Sequence, residues 1–306
     1  MKGVDNSLNL GVGHISHDEF LGKYYQNISP AIVHVQRGIF AKFDENGIPH
    51  TYHSNRINYS PVLIIQYAIM CHDLYLNGKN TEENKANILN IMNWLDKNSE
   101  VFKDAIVWRS IANEQYNLPE GWVSGMYQGQ ALSLYLRAYQ LFEDEKYLNT
   151  ALKVFNSFKY DYSEGGFKRV DKHNCIWFEE YPTPEPSYVL NGFIYAIWGI
   201  YDLYRVTKSH EAKELWDSCV NTLEVNLHKY DAWYWSVYDQ LKEQLVSYYY
   251  QKNVHIPIMQ VMYELTEKEI FNKYAIKWEK NLNNSFHRFI TQIMYRVKPR
   301  LKKLRK

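Results

Sequence analysis

Cysteine is scarce: Cys71, Cys175 and Cys219 are the only three in 306 residues. An odd number without a CxxC pair argues against a disulfide framework or a thiolate metal site, and fits a reducing compartment. A surplus of either charge is missing as well, since 35 Lys and Arg face 34 Asp and Glu. Binding to a phosphate backbone draws on a basic surplus, so nucleic acid is not expected as a partner. No long apolar run is present, and Met1 to Phe20 carries Asp5, Asp18 and Glu19. That stretch predicts neither a secretory leader nor a membrane anchor, and the expected location is cytoplasmic.

What is plentiful is apolar and aromatic. Hydrophobic residues make up 46% of the chain, with 27 Tyr and 9 Trp among them. This is enough for one large core, and such rings suit both helix packing and contact with sugar faces.

The clearest pattern is a recurring helical hairpin. Ser60 and Pro61 open an apolar helix to Leu76, Asn77-Gly78 ends it, and Thr81 starts a second helix with Ile88, Met92 and Leu95 on one face. The pattern returns at Gln128–Phe142 with Tyr147–Phe158, and at Ser187–Val206 with Trp216–Leu223. A fourth pair runs from His255 to Leu265 and continues after Thr266, which with Glu269 reads as a capping box. Starts spaced roughly sixty to seventy residues apart exceed short solenoid repeats. They predict a mainly α protein, an incomplete α/α toroid whose long connections cover one end of a cavity. Alternation over Val33–Tyr52 around Asp44-Glu45-Asn46-Gly47 adds a small β-hairpin near the N-terminus. The expected division is an N-terminal segment 1–58, a toroid 59–285 and a basic tail 286–306.

Unusual chemistry gathers in the connections. Trp177-Phe178-Glu179-Glu180-Tyr181-Pro182 sets two carboxylates and a phenol beside a proline-rich turn, just before a helix carrying Tyr188 and Asn191. So many ionisable groups are poor material for a core and point to a site; a solvated acidic turn is the bland alternative. His34, His50 and His53 complete no recognisable ligand spacing, and no metal or cofactor is expected.

Glu179-Glu180-Tyr181-Pro182 followed by Val189-Leu190-Asn191-Gly192-Phe193 resembles a signature of the C-terminal domain of D-glucuronyl C5-epimerases. Gln128-Gly129-Gln130-Ala131 with Arg137-Ala138-Tyr139, and Val237-Tyr238-Asp239, resemble two further blocks in the same order, so the likeness covers roughly residues 105 to 280. Residues 1–306 are expected to hold no counterpart of the large N-terminal β-rich region of the animal enzymes. The resemblance implies a helical toroid that inverts C5 of glucuronyl residues within a polysaccharide, through three catalytic tyrosines. Two match Tyr181 and Tyr238. The third precedes a His by four positions; His255 matches that His, but Gln251 stands four before it and Tyr250 five. Either one residue is inserted or the third tyrosine is placed differently, and Tyr250 is the candidate.

The chemistry can be argued independently of the family. Removing the C5 proton beside a carboxylate builds an enolate whose charge must be neutralised as it develops. Arg109, Asn191 and His255 are candidate donors, and a buried Glu179 or Glu180 of raised pKa would also serve; Glu180 joins the tyrosines as a catalytic candidate. Gln128 and Gln130 are candidates for sugar hydroxyls. Inversion needs proton-transfer groups on both faces of the ring, which Tyr181 and Tyr238 could flank, and a basic tyrosine would need a nearby cation or donors to hold it as phenolate. A uronate lyase shares the first step, and a non-catalytic polysaccharide-binding protein is the reading from another class. Residues 286–306 read either as a frayed solvated helix or as an amphipathic tail touching an anionic membrane or polymer, peripheral to the inner membrane face. The other partners expected are a glucuronate-containing polysaccharide and a second copy of the chain.

Overall fold

The hairpin pattern becomes four helix pairs in the computed structural model, which describes residues 8–53 and 55–304, without the side chains of Arg296 and residues 298–304. Ahead of them, β1 (Gly11–Val12) pairs antiparallel with β2 (Gln26–Asn27), and the short helix α1 (Ile32–Gln36) follows. Strands β3 (Lys42–Phe43), β4 (Pro49–His53) and β5 (Arg56–Asn58) then make a small antiparallel sheet. The expected turn at Asp44–Gly47 is present, with the Asp44 carboxylate accepting from Asn46 N and Ile48 N. The expected strand beginning at Val33 is not, because residues 32–36 coil into α1 and bury Ile32 and Val35.

The pairs are α2 (Pro61–Leu76) with α3 (Thr81–Lys97), α4 (Gly125–Phe142) with α5 (Glu145–Asn156), and α6 (Leu190–Thr207) with α7 (His210–Asn226). A single turn α8 (Tyr248–Tyr250), a π-helical turn over Gln251–His255 and α9 (Ile256–Thr266) form one continuous helix, paired with α10 (Glu269–Asn283); α11 (Ser285–Leu304) closes the chain. Two short ribbons, β6 (Glu100–Phe102) with β7 (Ala105–Val107) and β8 (Lys168–Val170) with β9 (Ile176–Phe178), lie in the connections. Local chemistry sets the boundaries: Ser124, Asp144 and Ser209 each accept a hydrogen bond from the first turn of the helix they precede.

The first member of each pair lies inside and the second outside. Every residue from Gly125 to Ala138 and from Leu190 to Leu203 is buried, as befits helices covered on all sides, whereas α5 and α10 bury a single stripe. Helices α4 and α6 meet at glycine: a Cβ on Gly129 would strike Ala196, and one on Gly199 would strike Gly129 O.

Residues 18–26 cross one end of this ring. Leu21 N donates to Gln140 of α4 (3.0 Å) and Tyr24 N to Asp73 of α2 (2.9 Å). Arg137 of α4 donates to Gly22 O and Arg205 of α6 to Asp18 O and Phe20 O. Gln26 then reaches Asn253 O beside α9 (2.6 Å). The contacts on α2, α4 and α6 fall in their C-terminal halves, so the segment plugs that end and leaves the N-terminal ends of the inner helices to form the open one.

Two expected details differ. Helix α6 begins at Leu190, not Ser187, because the Glu179 carboxylate takes Ser187 N and Tyr188 N and holds Tyr188 at φ +43°. The Thr266–Glu269 capping box does not form: Thr266 ends α9, donates to Met262 O, and Lys268 precedes α10. No helix among the described residues is long and apolar enough to cross a membrane.

Candidate active site

A cleft of about 390 Å³ opens over the N-terminal ends of α2 and α4. Asn58, Ser110, Asn113, Glu114 and Trp122 line its walls, with Glu180 and Tyr181 beneath them. The segment read as poor core material is in fact deep: Trp177, Phe178 and Glu179 are buried, and Glu180 is 5% exposed.

The two glutamates have separate tasks. Glu179 accepts from Arg169 Nε (3.1 Å), Ser187 N, Ser187 Oγ (2.6 Å) and Tyr188 N (2.9 Å). Arg169 also donates to Thr183 O (2.6 Å) and lies over the Tyr162 ring. Glu179 and Arg169 thus brace the loop 181–188, and Glu179 has no capacity left for a sugar, contrary to the expected substrate contact.

Glu180 faces the other way. It accepts from Tyr238 Oη (2.9 Å) and from Asn191 Nδ2 (3.4 Å), and the adjacent Tyr181 phenol also favours its charged form. Its closeness to α6 requires a glycine, since a Cβ at Gly192 would overlap its carboxylate. No ion pair among the described residues reaches Glu180. Burial therefore pushes its carboxyl up to about 7, only partly offset by the phenols and by Asn191.

Tyr250 joins this group through Tyr238: their rings stand edge to face at 5.6 Å. The π-helical turn at Gln251–His255 explains the spacing noted in the sequence. It takes in one extra residue, so Tyr250, five positions before His255, still lies against that ring (centroids 5.4 Å). Gln251 at the fourth position is buried, receives Ser236 Oγ and donates to Trp278 O. The result is a cluster of Tyr181, Glu180, Tyr238 and Tyr250, drawn from two connections and the first turn of the last inner helix. Burial, with the Glu180 charge next, holds all three phenols well above their ordinary pKa. They rest as neutral phenols; the expected phenolate held by a cation is not present among the described residues.

The remaining candidates sort by their partners. Asn191 stays with the group, its Oδ1 buried and without a partner among the described residues. His255 lies one layer behind Tyr250; burial drives its imidazole down to about 3, so it is neutral. Ser236 donates to Gln251, which leaves His255 Nδ1 (2.7 Å) as donor to Ser236 and Nε2 as an unprotonated, unpartnered nitrogen. Gln128 is fully buried and spent on Ile106 O and Ser157 Oγ, so it does not face a ligand. Gln130 is also buried and accepts from Gln66 (3.3 Å). Arg109 forms a two-pronged pair with Glu100 (both 2.8 Å) and donates to Gly121 O at the surface, away from Glu180.

Tyr116 carries no sequence signal, yet it lies flat on Tyr181 (centroids 4.0 Å, interplanar angle 9°). Its hydroxyl donates to Asp239 (2.6 Å), and Lys242 Nζ sits 3.9 Å from the ring centre. Trp122 touches Tyr181 from a second side. The Tyr181 ring is fixed by packing as well as by hydrogen bonds.

The sequence profile of the D-glucuronyl C5-epimerase C-terminus matches residues 97–280. A D-glucuronyl C5-epimerase of Caenorhabditis elegans is 35% identical over 207 residues, covering 60% of this chain and 33% of that protein. An uncharacterized protein of Methanocaldococcus jannaschii is 35% identical over 179 residues, covering 57% of this chain and 58% of its own. The match thus spans a third of one relative's length and little over half of the other's. Among solved structures, the GH76 alpha-mannanase of Bacteroides thetaiotaomicron superposes with a TM-score of 0.50 at 14% identity, over 84% of this chain and 64% of that one. At that identity the likeness concerns the α/α toroid alone.

Proposed function

The chain belongs to the D-glucuronyl C5-epimerase C-terminal family, and from that footing we propose that it inverts C5 of D-glucuronyl residues within a polysaccharide to give L-iduronyl residues. The observation that carries this reading is the buried Glu180 at the floor of a cleft wide enough for a sugar, flanked by Tyr181 and accepting from Tyr238, which packs on Tyr250.

In the proposed reaction the two terminal phenols, Tyr181 and Tyr250, address C5 from opposite faces. As one phenol oxygen takes the C5 proton, its own proton passes to Glu180, directly or through Tyr238. The C–H electron pair moves into the uronate carboxylate as an enolate. The opposite phenol then protonates C5 on the other face and becomes phenolate. The proton held by Glu180 then returns to that phenolate, so every group regains its starting state. A carboxyl near about 7 can take and return a proton at neutral pH, which a free phenol near about 10 cannot.

Charge on the enolate is met by the N-terminal ends of the inner helices, which converge on the site and carry partial positive charge. Asn191, whose carbonyl is left unpartnered, turns its amide toward Glu180 and holds that carboxylate in place. We read residues 59–285 as the unit that performs the reaction, without a cofactor, in the cytoplasm.

The test is incubation with a glucuronate-containing polymer in deuterated water. Deuterium at C5, appearance of iduronate and an unchanged chain length are expected. Unsaturated chain ends would identify a lyase instead, and no exchange with any such polymer would remove the catalytic reading.

A further inference from the structure

Residues 285–306 hold eight Lys or Arg and no Asp or Glu. Helix α11 packs on the body through Ile290, Met294 and Tyr295, whose hydroxyl donates to Leu245 O (2.6 Å). Its other face leaves Phe286, Phe289 and Ile293 in solvent, at the i, i+3, i+7 spacing of one stripe, with both phenyl rings more than half exposed. Trp233, 62% exposed, extends that stripe, its ring 5.6 Å from His287.

Beside Trp233, Lys273, Ile276, Lys277 and Lys280 of α10 line a shallow depression of about 380 Å³. Asn281 closes it and ties it to the stripe, donating to Trp233 O (3.2 Å) and meeting His287 Nδ1 (3.0 Å). One face of the molecule thus combines exposed aromatic and aliphatic groups with Lys273, Lys280 and Lys277, the last paired with Asp231, and the cleft chemistry uses none of it.

We propose that this face docks on an anionic lipid bilayer. Trp233, Phe286, Phe289 and Ile293 enter the boundary between headgroups and acyl chains, and the lysines of α10 meet acidic headgroups. Exposed apolar side chains beside a basic face define a helix that lies in the plane of a membrane, and each basic residue near an anionic surface adds to the attraction. A second copy of this chain is a poor occupant, because symmetric pairing would bring two basic tails together. A polyanionic polymer would answer the cations but leave Ile276 and Ile293 in water.

The test uses the full chain with vesicles of phosphatidylcholine, with and without phosphatidylglycerol, in a sedimentation assay. Binding is expected to need the anionic lipid, to weaken with salt, and to fall on the order of tenfold or more in the variant Phe286→Ser/Phe289→Ser, whose thermal unfolding stays as in the parent. The same variant keeps its affinity for a glucuronate polymer. Failure to bind anionic vesicles, or equal binding by the variant, overturns the proposal. So does a parallel loss of polymer affinity, which would assign the face to polymer, or the variant's loss of a dimer, which would assign it to a second copy.

Discussion

At the plugged end of the inner helices, Asp202 meets two guanidinium groups and a phenol; at the open end, Glu180 meets phenols and an amide. Asp202 accepts from Arg137 (2.6 Å) and from Tyr25 Oη (2.6 Å), with Arg205 at 3.5 Å; both arginines also donate to backbone carbonyls, and Arg205 to Tyr25 Oη (3.1 Å). All three charged groups are 1% exposed or less. Glu180 is nearly as deeply buried but has no opposite charge, and its carboxyl rises to about 7. A buried charge that is fully paired fastens three parts of the chain together. One left unpaired carries a raised pKa, which is useful only if a proton has to come and go.

The sharpest way to break this contrast is to remove the proton chemistry at the open end alone. Tyr181→Phe or Glu180→Gln should lower C5 deuterium exchange on the order of a thousandfold or more while polymer binding persists, because only a phenol oxygen or a titrating oxygen is lost. Near-parental exchange in either would take that residue out of the reaction. At the plugged end, Asp202→Asn should leave two buried guanidinium groups uncompensated and cost about 3–5 kcal/mol of stability, measured by denaturant unfolding. A loss under about 1 kcal/mol would contradict the pairing account.

Stability against pH sharpens the contrast further. Folded Glu180 titrates near about 7 against an ordinary 4.5, so the folded chain holds that proton more tightly than the unfolded one. The group therefore costs nothing below the lower value, and its penalty grows as pH rises through this window. Glu180→Gln should accordingly stabilise the protein above about pH 7 by on the order of 3 kcal/mol and have little effect below about pH 4.5. Unfolding curves at the two ends of the window check the sign. A smaller effect is expected of Tyr116→Phe, which loses one hydrogen bond to Asp239 but keeps the stack on Tyr181: exchange should slow about fivefold, as for a bond of about 1 kcal/mol. Smallest of all, Arg109→Ala removes a half-exposed pair with Glu100 and should change stability by less than about 1 kcal/mol and leave exchange unaltered.

The helical pairs were legible because each announces itself locally. Pro61, Asn77-Gly78 and Asp144 are start and stop signals, and the apolar stripes follow one period. Val33 misled because its neighbours alternate like a strand, while burial of Ile32 and Val35 against the body favoured one turn of helix. In the site, Glu180 and the tyrosines stood out through short motifs, whereas the division of labour between Glu179 and Glu180 depends on Arg169 and Ser187, which only folding brings near. Tyr116 was invisible for the same reason: its value lies in a stack across sixty-five positions of sequence. Gln128 was misread because a glutamine inside a motif looks the same whether it faces a ligand or caps backbone groups. The π-helical turn at Gln251–His255 leaves a one-residue irregularity in spacing, which the sequence displays without saying how it is absorbed.

The central claim is that an unpaired Glu180 receives the proton that a phenol gives up as it takes the one leaving C5, and the pH profile of deuterium exchange at C5 tests it most directly. On a glucuronate polymer at saturating concentration, the rate should rise with pH through a midpoint near about 7, where Glu180 becomes carboxylate, and Glu180→Gln should abolish both the rate and the midpoint. A parental profile that is flat across this value, or that persists in Glu180→Gln, would contradict the account.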